Sequence, residues 1–232
     1  MWHVVAQKNG ISAKGLQRIL GFSRYETVWI WLHKLRTAMV RPGRDKLSGL
    51  VEVDETYIGG KHEGKRGRGS GGKSLVMIAV EDPGKGMGRI RLIQVTDASA
   101  ASLIAAIKDT VEIGSIVRTD GWKSYGQLTS TGYTHRIVRK TEDVGKNLLP
   151  LAHTVASLLK RWLDGTHQGA VEPSHLSYYL DEYTFRFNRR TSRSRGKLFY
   201  RLIQQAVNIQ PVTNHTIRSG RRSPESDGNH DI

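Results

Sequence analysis

Cysteine is absent from the 232 residues of this chain. That absence excludes disulfide bridges, zinc ribbons built on paired cysteines, and thiol catalysis. Long hydrophobic runs are missing too, because no apolar stretch approaches the roughly 20 residues that a membrane-spanning helix needs. The N-terminus also lacks the apolar core of a signal peptide. We therefore expect a soluble, cytoplasmic protein with no membrane partner.

Acidic residues are scarce relative to basic ones. The chain has 21 Asp and Glu against 36 Lys and Arg, which gives a formal net charge of +15. Such a surplus favours a polyanionic partner, because each basic group that pairs with a phosphate releases condensed counterions. Nucleic acid is the most common partner of this kind. A solvated basic surface, or one suited to anionic lipid, is the alternative.

Residues 1–40 predict two helices joined by a short turn at Gly21, in the manner of a helix-turn-helix. Ser23 is the expected N-cap of the second helix, with Glu26 completing a capping box. This segment is either a DNA reader or an appendage that only packs. If it reads DNA, its candidate contacts are Arg24, Lys34 and Arg36.

The rest of the chain predicts an α/β domain. Residues 41–50 are rich in turn formers and charge, so they are interpreted as a linker. From 51 to 207, three strands are followed by helix, strand, helix, strand and further helices. This is the order of ribonuclease-H-like folds, a mixed sheet flanked by helices. Residues 208–232 are polar and basic and predict a disordered tail.

Two aspartates occupy informative places in this pattern. Asp54 lies in or just after the first strand, within VEVDETYIGGK, and Asp120 ends a later strand, within SIVRTDGWKSY. If the two strands are neighbours, both carboxylates meet at one end of the sheet. Carboxylates are the ligands that hard divalent cations such as Mg²⁺ require. The alternative is structural, because an Asp before Gly is commonly a turn residue.

A predicted helix at about 150–163 carries His153 and Lys160. Seven residues separate them, about two helical turns, so both side chains lie on one face. The imidazole could complete a metal site, and the ammonium could bind a phosphate as a point charge. The alternatives are a capping or core histidine and a solvated lysine.

Four blocks of the chain carry a family resemblance: VEVDETYIGGK, TDGWKSY, HTVASLLKRWLDGTHQGAV and HLSYYLDEYTFRFNRR. They resemble the ISXO-like insertion-sequence transposases, a branch of the DDE superfamily with a ribonuclease-H-like catalytic domain. The resemblance runs from about residue 1 to about residue 207. It implies a DNA transposase that hydrolyses phosphodiesters at element ends and transfers the 3′-hydroxyl to target DNA. It also implies two Mg²⁺ or Mn²⁺ ions.

Carried over to this chain, the resemblance assigns Asp54, Asp120 and His153 as metal ligands, and Lys160 as a catalytic residue that also contacts DNA. Many relatives have Glu or Asn at the third position, so the set here is an Asp-Asp-His-Lys variant. Histidine is a softer ligand than a carboxylate and should raise the tolerance for Mn²⁺. Other acids could take its place, namely Glu142, Asp143 and Asp164.

Further phosphate contacts are predicted in a Gly-rich loop and at the basic end of a late helix. The residues are Lys61, Lys65, Arg66, Arg68, Arg186, Arg189 and Arg190. The arginines could instead favour only the dipole of their own helix. Trp122, next to the second aspartate, is expected to pack, with base stacking as the alternative. The implied partners are the element's terminal repeats, target DNA and further copies of the chain, on the nucleoid.

Relatives of this kind carry a zinc ribbon ahead of the helical segment, and a chain without cysteine has none. We expect either a truncated gene or a start codon that has been placed late. Two other functions remain open. One is a non-catalytic, DNA-binding remnant of a transposase. The other is a ribonuclease-H-like nuclease or resolvase that cuts DNA without joining it.

Overall fold

The computed structural model describes residues 1–41, 43–59, 73–139, 147–169 and 171–220. The chain divides into two compact units. The sheet unit is Asp45–Arg161, and the helical unit combines Met1–Arg44 with Trp162–Ile232. No helix within the described ranges is long and apolar enough to cross a membrane.

The sheet unit contains five strands and two helices among its described residues. They are β1 (Leu50–Ile58), β2 (Ser74–Glu81), β3 (Ile90–Val95), α4 (Ala100–Thr110), β4 (Ile116–Thr119), β5 (Thr134–Ile137) and the start of α5 (Pro150–His167). The strand order is β3-β2-β1-β4-β5. β1 is antiparallel to β2 and parallel to β4, and β4 is parallel to β5. This confirms the predicted ribonuclease-H-like mixed sheet flanked by helices.

The two faces of β1 have different roles because side chains alternate along a strand. Val51 and Val53 are fully buried in a core that includes Leu103 and Ile107 of α4. The alternate residues Glu52 and Asp54 therefore point to the opposite face. Trp122 packs against the α4 core, so the expectation that it packs is confirmed.

The predicted linker at 41–50 is not a free connection. Leu47 is fully buried in the core of the sheet unit and forms a β-bridge with Val111. One apolar side chain among turn formers and charges is enough to attach this segment, because burying a leucine stabilises by about 2 kcal/mol.

The helical unit contains the N-terminal helices and the helices that follow the sheet unit. They are α1 (Trp2–Ala6), α2 (Ala13–Leu20), α3 (Tyr25–Ala38), the end of α5, α6 (Leu176–Phe187), α7 (Arg195–Asn208) and α8 (Asn214–Ser219). Val28 and Leu32 of α3 share one buried core with Phe185 of α6 and Leu202 of α7. This packing groups residues after 161 with the N-terminus, whereas the sequence-based division placed 51–207 in one domain.

Two local expectations are wrong. Arg24, not Ser23, is the N-cap of α3 and makes no side-chain cap, and the carbonyl of Ser23 accepts a hydrogen bond from Gln17 Nε2. The predicted disordered tail includes helix α8, whose Ile217 is fully buried with Ile30 and Tyr178. A single apolar anchor outweighs the polar composition of this segment, and residues 221–232 lie outside the described ranges.

A buried ionic cluster links helices α3 and α6 of the helical unit. Glu182 on α6 accepts a hydrogen bond from Arg36 Nε at 2.8 Å and from Arg186 Nη2 at 2.7 Å. Burial raises the pKa of Glu182, but the charges of Arg36 and Arg186 outweigh it and lower that pKa to about 2. The cluster therefore keeps Glu182 ionised at neutral pH.

The neutral imidazole of His167 should make the helical unit sensitive to mild acid. Burial, with the charges of Arg36 and Arg186, lowers its pKa from 6.5 to about 4, while Glu182 opposes this. Between those values the unfolded state binds more protons, so stability is full above pH 6.5 and falls towards pH 4. Between pH 7 and 5 this group contributes at most about 2 kcal/mol. Urea unfolding at both pH values should show a smaller drop for His167→Gln; equal drops would contradict the assignment.

Candidate active site

The register of the parallel pair β1 and β4 brings Asp54 and Asp120 together. Glu52 pairs with Arg118, and the same register, continued two residues past this pair and beyond the end of β4 at Thr119, leads to Asp54 and Asp120. Neighbouring strands lie about 4.8 Å apart. The two carboxylates are close enough for the charge of Asp120 to raise the pKa of Asp54.

A tight turn follows Asp120 and holds its carboxylate. Asp120 Oδ1 accepts a hydrogen bond from the Trp122 backbone N–H at 3.0 Å. Gly121 between them has φ +80, and a Cβ there would lie 2.6 Å from Ile137 Cγ2 of β5. Only glycine suits both the left-handed backbone and this close approach. The Asp-Gly turn therefore has a fixed conformation, and its aspartate faces the site.

Glu52 connects this face of the sheet to helix α5. It is fully buried, and its Oε2 accepts hydrogen bonds from the backbone N–H groups of Leu151 and Ala152 at 2.9 and 3.1 Å. Its Oε1 accepts a hydrogen bond from Arg118 Nη1 at 3.0 Å. A carboxylate in the first turn also favours the positive end of the helix dipole. Glu52 thus fixes the first turn of α5, directly before His153.

His153 contacts the first aspartate directly. Its Nε2 lies 3.1 Å from Asp54 Oδ2, and its Nδ1 lies 2.5 Å from Asn147 Oδ1. An amide oxygen accepts, so Nδ1 donates to Asn147 Oδ1, and Nε2 is the ring nitrogen that faces Asp54. Metal-binding histidines are typically oriented in this way, with the second nitrogen donating to an oxygen.

Burial is the largest influence on Asp54. Burial raises its pKa, a backbone hydrogen bond from Glu55 and the charge and hydrogen bond of His153 lower it, and the charge of Asp120 raises it again. Burial raises the pKa of Tyr125 well above its ordinary value, and the charges of Glu55, Asp54 and Asp120 raise it further.

The donors at this site fit a hard divalent cation in part. Ligands at about 2.1 Å in an octahedral shell lie about 3.0 Å apart when adjacent, and His153 Nε2 and Asp54 Oδ2 are 3.1 Å apart. Within the described ranges, however, no three His, Asp or Glu side chains form a group that could hold a metal ion. Asp54 and His153 therefore form a pair of donors, and Asp120 does not stand close enough to complete a set of three.

Lys160 lies on α5, the same helix as His153, and both side chains are exposed. This agrees with the predicted separation of two helical turns on one face. Of the alternative acids, Asp164 is exposed on α5, whereas Glu142 and Asp143 lie outside the described residues.

The residues predicted to contact DNA differ in how exposed their side chains are. Arg24 and Arg190 are exposed and Lys34 is partly exposed, whereas Lys61, Lys65, Arg66 and Arg68 lie outside the described residues. Arg36 is only 1% exposed and is paired with Glu182. A guanidinium that is buried in this way cannot contact a phosphate at the surface. The charge of Arg36 is instead paired inside the core.

The three arginines at the end of α6 are also engaged. Arg190 stacks 4.1 Å from the ring centroid of Phe187 and donates to that residue's carbonyl oxygen. Arg186 binds Glu182 and donates to the backbone carbonyl oxygens of Gln7 and Val4. Arg189 stacks 4.1 Å from the ring centroid of Phe185 and donates to that residue's carbonyl oxygen. Most of the contacts that these arginines make are therefore structural, as the alternative interpretation expects.

Sequence reasoning missed Glu52, Asn147 and Arg118. One signal was available, since Glu52 and Asp54 share a face and a buried carboxylate needs partners. Those partners lie 66 and 99 residues along the chain, at Arg118 and Leu151. A local pattern could not identify them.

Two solved structures are similar to this chain at low sequence identity. The chain is similar to the catalytic core domain of BIV integrase, with a TM-score of 0.39 and 13% identity over 64% of this chain and 87% of that one. It is also similar to a chain of the simian T-cell lymphotropic virus intasome in complex with PP2A regulatory subunit B56 gamma. The TM-score is 0.39, with 12% identity over 81% of this chain and 74% of that one. No curated protein matches.

A protein-family model gives the remaining comparison. It is described as the ISXO2-like transposase domain, and it matches residues 46–188. The matched span contains β1 to β5, the start of α5 and the contact between Asp54 and His153. The chain therefore belongs to the ISXO2-like transposase domain family.

Proposed function

We propose that this chain is a DDE-type transposase of the Asp-Asp-His-Lys form. It hydrolyses a phosphodiester at the end of a DNA element and transfers the freed 3′-hydroxyl into target DNA. The observation that carries the proposal is the 3.1 Å contact between His153 and Asp54, on a strand whose parallel neighbour leads to Asp120. Membership of a transposase domain family supports it.

In this proposal Asp54, Asp120 and His153 hold Mg²⁺ or Mn²⁺, as two ions. Bound divalent ions activate a nucleophile and stabilise the leaving oxygen of a phosphodiester. Asp54 and Asp120 supply the negative charge that attracts the cations. His153 contributes a neutral nitrogen ligand. Compared with a third carboxylate at this position, the nitrogen raises the tolerance of the site for Mn²⁺.

Other residues orient the site and the DNA. Asn147 Oδ1 accepts a hydrogen bond from His153 Nδ1, so the imidazole presents Nε2 to Asp54. Lys160, exposed two turns further along α5, gives a phosphate oxygen a point charge. Water and then the DNA 3′-hydroxyl are the nucleophiles, so no side chain bonds covalently to DNA.

The proposed partner is DNA, as the element's terminal repeats and the target. Arg24, Lys34 and Arg190 are proposed to contact backbone phosphates, which positions the duplex without reading its sequence. We leave Arg36 out of this set, because it is buried against Glu182. An assembly of two or more copies would hold both element ends.

A strand-transfer assay tests the proposal. The chain is incubated with labelled duplex that carries an element end and with plasmid target, in Mg²⁺, Mn²⁺ or EDTA. We expect a metal-dependent nick at the element boundary and a joined product in either metal, because the site holds both the acids and the imidazole.

Two outcomes would overturn this function. DNA binding without any nick in either metal would indicate a non-catalytic remnant. Cleavage of a branched duplex, with no joined product from the element end, would indicate a resolvase. The EDTA reaction controls for contaminating metal-independent nucleases.

A further inference from the structure

An open cleft of about 630 Å³ adjoins the candidate active site within the sheet unit. Its lining includes Arg118, Arg136 and Arg139, together with Asn147 and Pro150. Asn147 also contacts His153, so the cleft and the site share a wall. Volumes of about 300–1,000 Å³ are typical of ligand pockets, and this one therefore has room for a segment of a large ligand.

The charge of the cleft is fixed by strand register. Arg118 of β4 pairs with Arg136 of β5, so the two side chains point to the same face. This is also the face of Glu52, which pairs with Arg118 across β1 and β4. Two like charges directly opposite each other are destabilising unless an anion compensates.

Within the part of the chain that the structure describes, a carboxylate compensates the charge of Arg118 but not that of Arg136. Arg118 Nη1 lies 3.0 Å from Glu52 Oε1 and 3.2 Å from Asp82 Oδ2. Arg136 and Arg139 are exposed, and no salt bridge to either is found among the described residues. Among the described residues, no carboxylate pairs with these two guanidinium groups of the cleft, and both can therefore bind an external anion.

We propose that Arg136 and Arg139 bind a backbone phosphate of the DNA strand that enters the active site. This inference rests on the proposed function, because it assigns the anion to that substrate. Guanidinium groups bind phosphate oxygens through two parallel hydrogen bonds. A phosphate held in this cleft would orient the neighbouring linkage relative to Asp54 and His153.

Salt-dependent binding tests the proposal without any chemistry. Affinity for an element-end duplex is measured by fluorescence anisotropy in EDTA, from 50 to 300 mM KCl, for wild type and for Arg136→Gln/Arg139→Gln. Each phosphate contact contributes about 0.9 to the slope of log affinity against log salt. Because the two arginines share one phosphate, we expect the double variant to lose about 1 of that slope and about tenfold in affinity.

Two further variants make the result specific. Lys85→Gln removes an exposed cation from the turn between β2 and β3 that does not line the cleft, and should leave the slope unchanged. Arg136→Lys/Arg139→Lys keeps the charge and should keep most of the slope. If the glutamine variant behaves as wild type or as Lys85→Gln, the cleft does not bind phosphate.

Neutral methylphosphonate linkages locate the contact. Placed one at a time around the cleavage position, one of them should weaken wild-type binding and have no further effect on the glutamine variant. Finding no such position would overturn the proposal. These measurements need no cleavage, so a failed strand-transfer assay with an intact methylphosphonate result would reject the function and keep the cleft. Successful strand transfer without any methylphosphonate effect would keep the function and reject the cleft as a phosphate site.

Discussion

Replacing Asp54 with asparagine should abolish DNA cleavage and leave DNA binding intact. The Asp54→Asn side chain keeps its size and can still accept from His153, but it loses the charge needed to hold a divalent cation. Metal ions contribute several kcal/mol to such reactions, which corresponds to a loss of about a thousandfold or more in rate. Strand-cleavage rate and duplex affinity are measured on the same preparation.

The same substitution elsewhere provides the matched control. Asp109 is exposed near the end of α4, and Asp109→Asn should cleave as wild type does. His153→Glu should retain cleavage in Mg²⁺, since a carboxylate is a good ligand for that ion. Unchanged cleavage by Asp54→Asn would refute the assignment of this carboxylate, whatever the other variants do.

The fold could be predicted well because its signals are local. The period-two pattern of β1 and the helical pattern that contains His153 gave the predicted element types, and the strand order follows from known topology. Asp54 and Asp120 could be placed at one end of the sheet on the same basis. Their common face depends on a register, Glu52 with Arg118, which the sequence does not state.

The errors have a common cause, which is a partner far along the chain. Arg36 was interpreted as a basic surface residue, but Glu182, 146 residues later, pairs with it in the core. Leu47 and Ile217 lie in polar segments, and each is fully buried. Composition describes what a segment contains, whereas burial depends on what packs against it.

Removing Glu52 should cost more stability than removing a comparable surface acid. Glu52→Ala leaves two N–H groups of α5 and the guanidinium of Arg118 without this acceptor. Breaking a buried ion pair costs about 3 kcal/mol or more, whereas Glu26→Ala, which breaks an exposed ion pair with Arg218, should cost about 1 kcal/mol or less. Urea unfolding compares the two variants, and equal losses would contradict the role of Glu52. Because His153 follows the two capped residues directly, cleavage by folded Glu52→Ala should also fall, and Glu52→Gln, which keeps an acceptor oxygen, should restore part of it.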